Sequence, residues 1–290
     1  VDYLLANIAA VDSAGAAAKA ALAAVALGLD PRSVGGVDLV AMAEAAYDPE
    51  TGAYAGDDFT QSIVMIGLAC TGNTVGDLAD DALRDTQIEE SGGWGFGGFA
   101  DADTTAIVIQ ALIAAGVPAD DPDVVEALDY LKATQAADGG WGYDPAASNA
   151  SSTAFAVQAL LALGEDPESA TYTKGGNTPI SYLLGQQQAD GSFAGFDPTY
   201  ATNQVLPALA GYTFCDAPLA PVTQERPPEV PTQTPTAEPT AEPSVAPGPP
   251  STGDAVSVAG GIDPVGAMAL VLLAAGFATG GTALALRRRG

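Results

Sequence analysis

The chain has 290 residues, 48 % of them apolar, with 34 glycines, two cysteines and no histidine. Nine basic side chains face thirty-six acidic ones, a net charge of −27, and three of the nine are Arg287, Arg288 and Arg289 at the very end. Without histidine there is no Ser-His-Asp or Cys-His nucleophile and no imidazole-held metal, two cysteines cannot build a structural zinc site, and the charge repels nucleic acid. No cofactor and no metal are therefore expected.

In chain order, one pattern recurs over residues 1–214. An amphipathic helix is followed by a glycine-aromatic turn and then by a small-residue-rich helix that ends at glycine. The turns read Gly52-Ala53-Tyr54, Gly92-Gly93-Trp94, Gly139-Gly140-Trp141 and Gly191-Ser192-Phe193. The second helices end at Gly28, Gly72, Gly116, Gly164 and Gly211, spaced 44, 44, 48 and 47 residues. Such a period signals stacked two-helix units, and the count is ten helices in five pairs. Glycine supplies the left-handed cap, while Asp30-Pro31, Asp121-Pro122 and Asp166-Pro167 predict an N-cap followed by proline at the first helical position. No stretch alternates as a strand would, so the fold class is all-α.

From Asp216 to Thr252 the composition changes: eleven of 37 residues are proline, with Thr-Ala-Glu-Pro repeated at 236–239 and 240–243. Residues 215–252 thus read as a stiff stalk, up to roughly 115 Å long at ~3.1 Å per residue. Residues 253–290 hold Val265 to Leu286, 22 residues without a charge. As a helix they span about 33 Å, enough for a hydrocarbon core, and the three arginines place the chain's end inside and everything before the span outside. Pro249-Pro250-Ser251-Thr252-Gly253 resembles the Leu-Pro-x-Thr-Gly sorting signal of Gram-positive surface proteins, with proline in the first position. That resemblance implies cleavage by a sortase between Thr252 and Gly253 and attachment to the cell wall. Either way the repeat is expected at the cell surface.

The repeat carries a second resemblance. Leu83-x-x-x-Gln87-x-x-x-x-Gly92-x-Trp94, Leu131-x-x-x-Gln135-x-x-x-Gly139-x-Trp141 and Leu184-x-x-x-Gln188-x-x-Gly191-x-Phe193 are similar to the QW repeats of squalene cyclases and related prenyltransferases. The resemblance implies an α/α toroid, six hairpins in a ring with inner helices lining a cavity, and QW elements that tie successive hairpins together. Five pairs are one short of six. The chain also begins at Val1, within a helix and without a secretory signal, so a fragment or processed form lacking its signal peptide and a hairpin is expected.

Asp101-Ala102-Asp103-Thr104-Thr105-Ala106 resembles the Asp-x-Asp-Asp-Thr-Ala motif with which class II terpene cyclases protonate an alkene or epoxide. Asp103 takes the place of the acid there and Asp101 that of its neighbour, while Thr104 replaces the final aspartate. Only 7 % of the residues are aromatic, few for stabilising carbocations. The competing reading is helix capping, since polar residues also begin the other second helices. Prenyltransferase zinc chemistry lacks its histidine, and Cys70-Thr71-Gly72-Asn73 does not match the Cys-Gly-Glu-Gln of thioester domains. Cys70 and Cys215 either pair across the outward-facing domain or stay free.

The expectation is therefore a ligand-binding or interaction protein without catalysis. Corrinoid carriers of the transcobalamin type share the toroid, so a corrinoid, an isoprenoid or other lipid, a glycan or a peptide are all candidate ligands. The toroid implies a mouth where second helices begin, at Asp58, Asp101, Asp103, Thr105, Ser152, Thr153, Tyr200, Asn203 and Gln204, with Tyr143 and Phe196 near the rim. The alternatives are a cyclase-like enzyme using Asp103 and a passive spacer or adhesion module.

Overall fold

The computed structural model describes residues 1–144 and 147–216. The stalk, the 265–286 span, the sorting site at Thr252 and Gly253 and the arginine tail lie outside the described residues. Among the described residues, no helix is long and apolar enough to cross a membrane.

Ten α-helices form five hairpins, as the repeat predicts. The first helices are α1 (Asp2–Asn7), α3 (Leu39–Glu44), α5 (Ala79–Arg84), α7 (Pro122–Thr134) and α9 (Pro179–Gly185). The second helices are α2 (Ala14–Ala26), α4 (Asp58–Cys70), α6 (Ala102–Ala114), α8 (Ala150–Ala162) and α10 (Pro198–Leu209). Each second helix packs on the next, α2 on α4, α4 on α6, α6 on α8 and α8 on α10. No comparable packing joins α10 to α2 among the described residues, so the five hairpins form a row with two ends and no closed ring. Among the described residues, the departures from all-α are a two-residue antiparallel ribbon, β1 (Gly95–Phe96) and β2 (Phe99–Ala100), and a few isolated bridges.

The second helices form the inner layer: most of their residues are buried, and α2, α6 and α8 are rich in alanine. Small side chains let backbones approach: a Cβ at Gly67 would come within 2.5 Å of the Ala18 Cβ. These helices run parallel, since Asp103 meets Ser152 near their starts and residues 110–114 share a cavity with Leu161 near their ends. All five stop at a glycine of positive φ, between 71° and 94°, as the sequence predicts. Their N-caps are Ser13, Asp57, Asp101, Asn149 and Asp197.

Asp121-Pro122 begins a helix as expected. Asp30 and Asp166 do not: each carboxylate accepts the N–H two residues on, Arg32 and Glu168 respectively, and closes a local turn instead. Glycine pairs then fold back in bridged turns, Val34 against Val37 and Lys174 against Asn177, and α3 and α9 start later, at caps Asp38 and Thr178.

The QW elements tie the hairpins as their resemblance implies. Gln87 Nε2 donates to Gly92 O in its own turn (2.8 Å) and to Asp123 O in the next hairpin (2.9 Å). Gln135 Nε2 does the same with Gly139 O (2.9 Å) and Tyr172 O (2.8 Å). The indoles point back, Trp94 Nε1 to Leu83 O and Trp141 Nε1 to Leu131 O. In the weaker second unit Gln61 on α4 takes over, donating to Gly52 O and Ala79 O. Arg84 adds a paired contact with both Asp121 oxygens and a bond to Asp123.

The third QW element is shifted by one residue from the expected register. Gln187, and not Gln188, donates to Gly191 O, and Leu183 is fully buried whereas Leu184 is 56 % exposed. Run as Leu183, Gln187, Gly191 and Phe193, its spacing equals that of the Trp141 unit.

Cys70 and Cys215 are joined in a disulfide across 145 residues, which settles the alternatives left open by the sequence. Cys70 ends α4, so residues 212–216 cross from the end of α10 back over α8 and α6 as a strap.

Two measurements check this architecture. Leu183→Ala lowers the unfolding free energy by about 2–5 kcal/mol, and Leu184→Ala by less than about 0.5, in urea denaturation; equal losses refute the shifted register. Replacing both cysteines by serine destabilises the fold by up to about 5 kcal/mol, the loop-entropy value for a closure of this length; an unchanged midpoint refutes the pairing.

Candidate functional site

At the starting ends of the inner helices the N-caps position a polar group. Asp101 is buried and fully engaged: its Oδ1 accepts Thr104 N–H (2.8 Å) and its Oδ2 accepts the Thr104 hydroxyl (3.0 Å). This is the capping arrangement, which fills both oxygens of that carboxylate. Two residues on, Asp103 faces inward. It accepts a hydrogen bond from Ser152 on α8, and its buried Oδ1 has no protein partner. Ser152 is itself held by Asn149, whose Nδ2 donates to Ser152 Oγ at 2.8 Å.

Tyr200 of α10 stands close enough to feel the Asp103 charge. Burial, reinforced by that charge, pushes its hydroxyl up to about 12, and Gln204 hydrogen-bonds to it. Burial raises Asp103 to about 6, with the Ser152 bond opposing and the Asp101 charge adding to the rise. Gln204 Oε1 and Asn203 Nδ2 are buried without partners in the same helix. Behind them Phe59 of α4 meets Phe155 of α8 edge to face, with ring centroids 5.7 Å apart.

Beside this group opens a cavity of about 610 Å³, lined by Asn149, Ser151, Phe196, Asp197, Thr199 and Tyr200 among others. Tyr200 is common to the cavity and the Asp103 group. Phe196 and Tyr143 are exposed, as are Phe96 and Phe99 at the tip of the β1–β2 ribbon.

The structure therefore brings together Asp103, Ser152, Tyr200 and Gln204, with Asn203 on the same helix. It separates three other expected site residues. Thr105 Oγ1 accepts Trp94 N–H (2.9 Å) and Thr153 Oγ1 accepts Trp141 N–H (2.9 Å), both wholly buried. They fasten the glycine-aromatic turns to the inner helices and are closed to a ligand. Asp58 accepts the Thr86 hydroxyl (2.9 Å) from the loop after α5, and burial raises its pKa. Asn149, Ser151, Asp197 and Thr199 line the cavity although the sequence reading passed over them as site residues. Their signal was available, because the cap and the second residue after it recur at the start of every inner helix. Among the described residues, no group of three or more acidic or cysteine side chains is placed to hold a metal.

Hairpin repeats, inner and outer layers and glutamine ties define an α/α-hairpin repeat protein, layered as a toroid is but without a closed ring among the described residues. Residues 77–208 match the family model of the squalene-hopene cyclase C-terminal domain, which supports the squalene cyclase and prenyltransferase toroid family for that segment. A similar solved structure is the ent-copalyl diphosphate synthase from Streptomyces platensis, 20 % identical with a TM-score of 0.40. That match covers 68 % of this chain and 49 % of the synthase, so the chain spans about half of that structure's length. No curated protein matches the chain.

The raised Asp103 value makes a signed prediction. Its folded pKa of about 6 lies above the ordinary aspartate value of 3.8, so its stabilising contribution is full below about pH 4 and is lost as pH rises through about 6. The wild type should lose roughly 3 kcal/mol relative to Asp103→Asn across that window and then level off. Chemical denaturation of both proteins from pH 3.5 to 8 checks this; a difference independent of pH refutes the burial of this carboxyl.

Proposed function

We propose that the protein is a cell-surface binding module that holds a ligand at the starting ends of its inner helices and does not transform it. The observation that carries the reading is Asp103: a buried carboxyl with one unpartnered oxygen, held by Ser152, beside Tyr200 and an open cavity of about 610 Å³. A buried acceptor without a donor costs about 1–3 kcal/mol, and a bound molecule that offers a hydrogen bond removes that cost. Exposed Phe196 and Tyr143 offer faces on which a ring or sugar can stack. The Cys70–Cys215 disulfide supports an oxidising location. The proline-rich 215–252 segment and the uncharged 265–286 span would display the module outside the membrane, with wall attachment at Thr252 if a sortase acts there.

A second reading, a class II terpene cyclase-like enzyme with Asp103 as proton donor, draws support from the match over 77–208, which includes Asp101–Ala106. The electrostatics weigh against it. Protonating an alkene demands a strong acid, and burial makes Asp103 a weaker one. Thr104, in the position of the motif's last carboxyl, bonds to Asp101 and not to Asp103.

Incubation with squalene and with geranylgeranyl diphosphate separates the two. The binding reading expects no cyclised product from wild type or Asp103→Asn; a product that disappears in Asp103→Asn overturns it. Native mass spectrometry of the purified protein should show a bound small molecule whose occupancy falls at least tenfold in Asp103→Ala. A chain that carries none, and shows no thermal shift with corrinoid, glycan, lipid or peptide ligands, is a spacer.

A further inference from the structure

The opposite end of the inner helices holds a second cavity, about 310 Å³ in volume, which the site above does not use. Its apolar wall is Ile66 of α4, Ile113 of α6, Leu161 of α8 and Phe214 of the strap. The strap is braced in place: Cys215 is bonded to Cys70, Gln158 Nε2 donates to Tyr212 O (3.4 Å), and Thr213 Oγ1 donates to Asp216 Oδ2 (2.7 Å). Phe214 is 8 % exposed and belongs to the main core.

Gln110 supplies the polar feature of this cavity. It is 4 % exposed, its Nε2 makes one long bond to Ala106 O (3.4 Å), and its Oε1 has no partner. Gln110 thus brings to the cavity wall a buried acceptor that lacks a donor. The charge on the lining has one sign. α4, α6 and α8 all end here, and each helix end carries a partial negative charge. The Asp216 carboxylate stands on the rim, and no lysine or arginine is among the lining residues.

We propose that this cavity binds a small primary amine, its apolar body between Ile66, Leu161 and Phe214 and its ammonium donating to Gln110 Oε1 within the negative field of the helix ends and Asp216. By proportion to a cavity of about 150 Å³ that takes benzene, its volume suits roughly twelve non-hydrogen atoms. The strap forms one wall, so binding depends on the disulfide, and Cys215 is exposed to reductant. This proposal stands apart from the reading of the Asp103 end and survives its failure.

Isothermal titration of the oxidised protein with 2-phenylethylamine, 2-phenylethanol and phenylacetate tests it on one molecular frame. The expected result is saturable one-to-one binding of the amine, at least tenfold tighter than phenylacetate, with the alcohol between. Gln110→Leu weakens the amine at least fivefold, Gln110→Glu preserves or strengthens it, and reduction of the disulfide weakens it at least fivefold. Amide chemical shifts should move at Gln110, Ile113 and Phe214. Phenylacetate binding as tightly as the amine, no saturable amine binding, or affinity untouched by both Gln110→Leu and reduction overturns the proposal. Because the ligand series is run on the wild type, misfolding of a variant leaves the test intact.

Discussion

The hydrogen bonds of a few buried side-chain amides hold this array together. Each carboxamide offers two N–H groups on one nitrogen, and here one goes to the glycine carbonyl of its own turn and the other to a carbonyl of the next hairpin. A turn carbonyl cut off from water needs a donor from within the protein. The same donor then fixes the spacing between hairpins. The second unit shows that the bond matters more than the sequence position. Gln61 comes from the inner helix, four residues after the cap, yet reaches Gly52 O and Ala79 O and also accepts Tyr54 N–H (2.6 Å). The threonines of later units take over that last role, with Trp94 and Trp141 as donors.

With the hairpins fixed, alanine decides what the interior can hold. Close helices leave room for only a few large inward side chains, and Phe59 with Phe155 bridges α4 and α8 across the starting end of α6. The strap closes the other end, where Phe214 enters the core. Among the described residues, a cavity lies at each end of the inner helices. The two chemistries differ because the ends differ. At one, exposed aromatic rings surround an inward carboxyl. At the other, helix ends and Asp216 make the field negative, and Ile66, Ile113, Leu161 and Phe214 form an apolar wall.

The hairpins were legible in sequence because glycine caps and glycine-aromatic turns are local signals with one physical cause each: a left-handed φ, or a backbone that must pass close to another. Asp30 and Asp166 misled because aspartate before proline suits an Asx turn as well as a helix start, and nothing within four residues tells the two apart. The choice lies further on, in Gly35-Gly36 and Gly175-Gly176, which insert a bridged turn first. Leu184 and Gln188 misled for another reason. Three successive glutamines, Gln186 to Gln188, give no local register, and burial of Leu183 against Phe193 and α8 decides it. Among the site residues, Asp103 and Thr105 lie two positions apart on one helix, about 200° around its axis at 3.6 residues per turn. Sequence placed both at the starting end; only the packing of neighbouring elements turns Asp103 toward α8 and Thr105 toward the tryptophan turn.

The difference between Asp101 and Asp103 shows how a motif can persist while its chemistry changes. A strong buried acid requires its conjugate base to be stabilised, by hydrogen bonds on both oxygens or by a positive neighbour. Asp101 has the bonds, from Thr104 N–H and hydroxyl, but points into its own cap. Asp103 points into the interior, where Ser152 offers one hydrogen bond and Asp101 adds a like charge. Stabilisation and a free acceptor oxygen therefore fall on different carboxyls. A group that is buried beside a cavity, under-bonded and reluctant to ionise is better suited to hold a hydrogen-bonding ligand than to force a proton onto carbon. The lowering of its pKa by such a ligand would in turn stabilise the fold most above pH 6, where the empty site bears the cost of the buried charge.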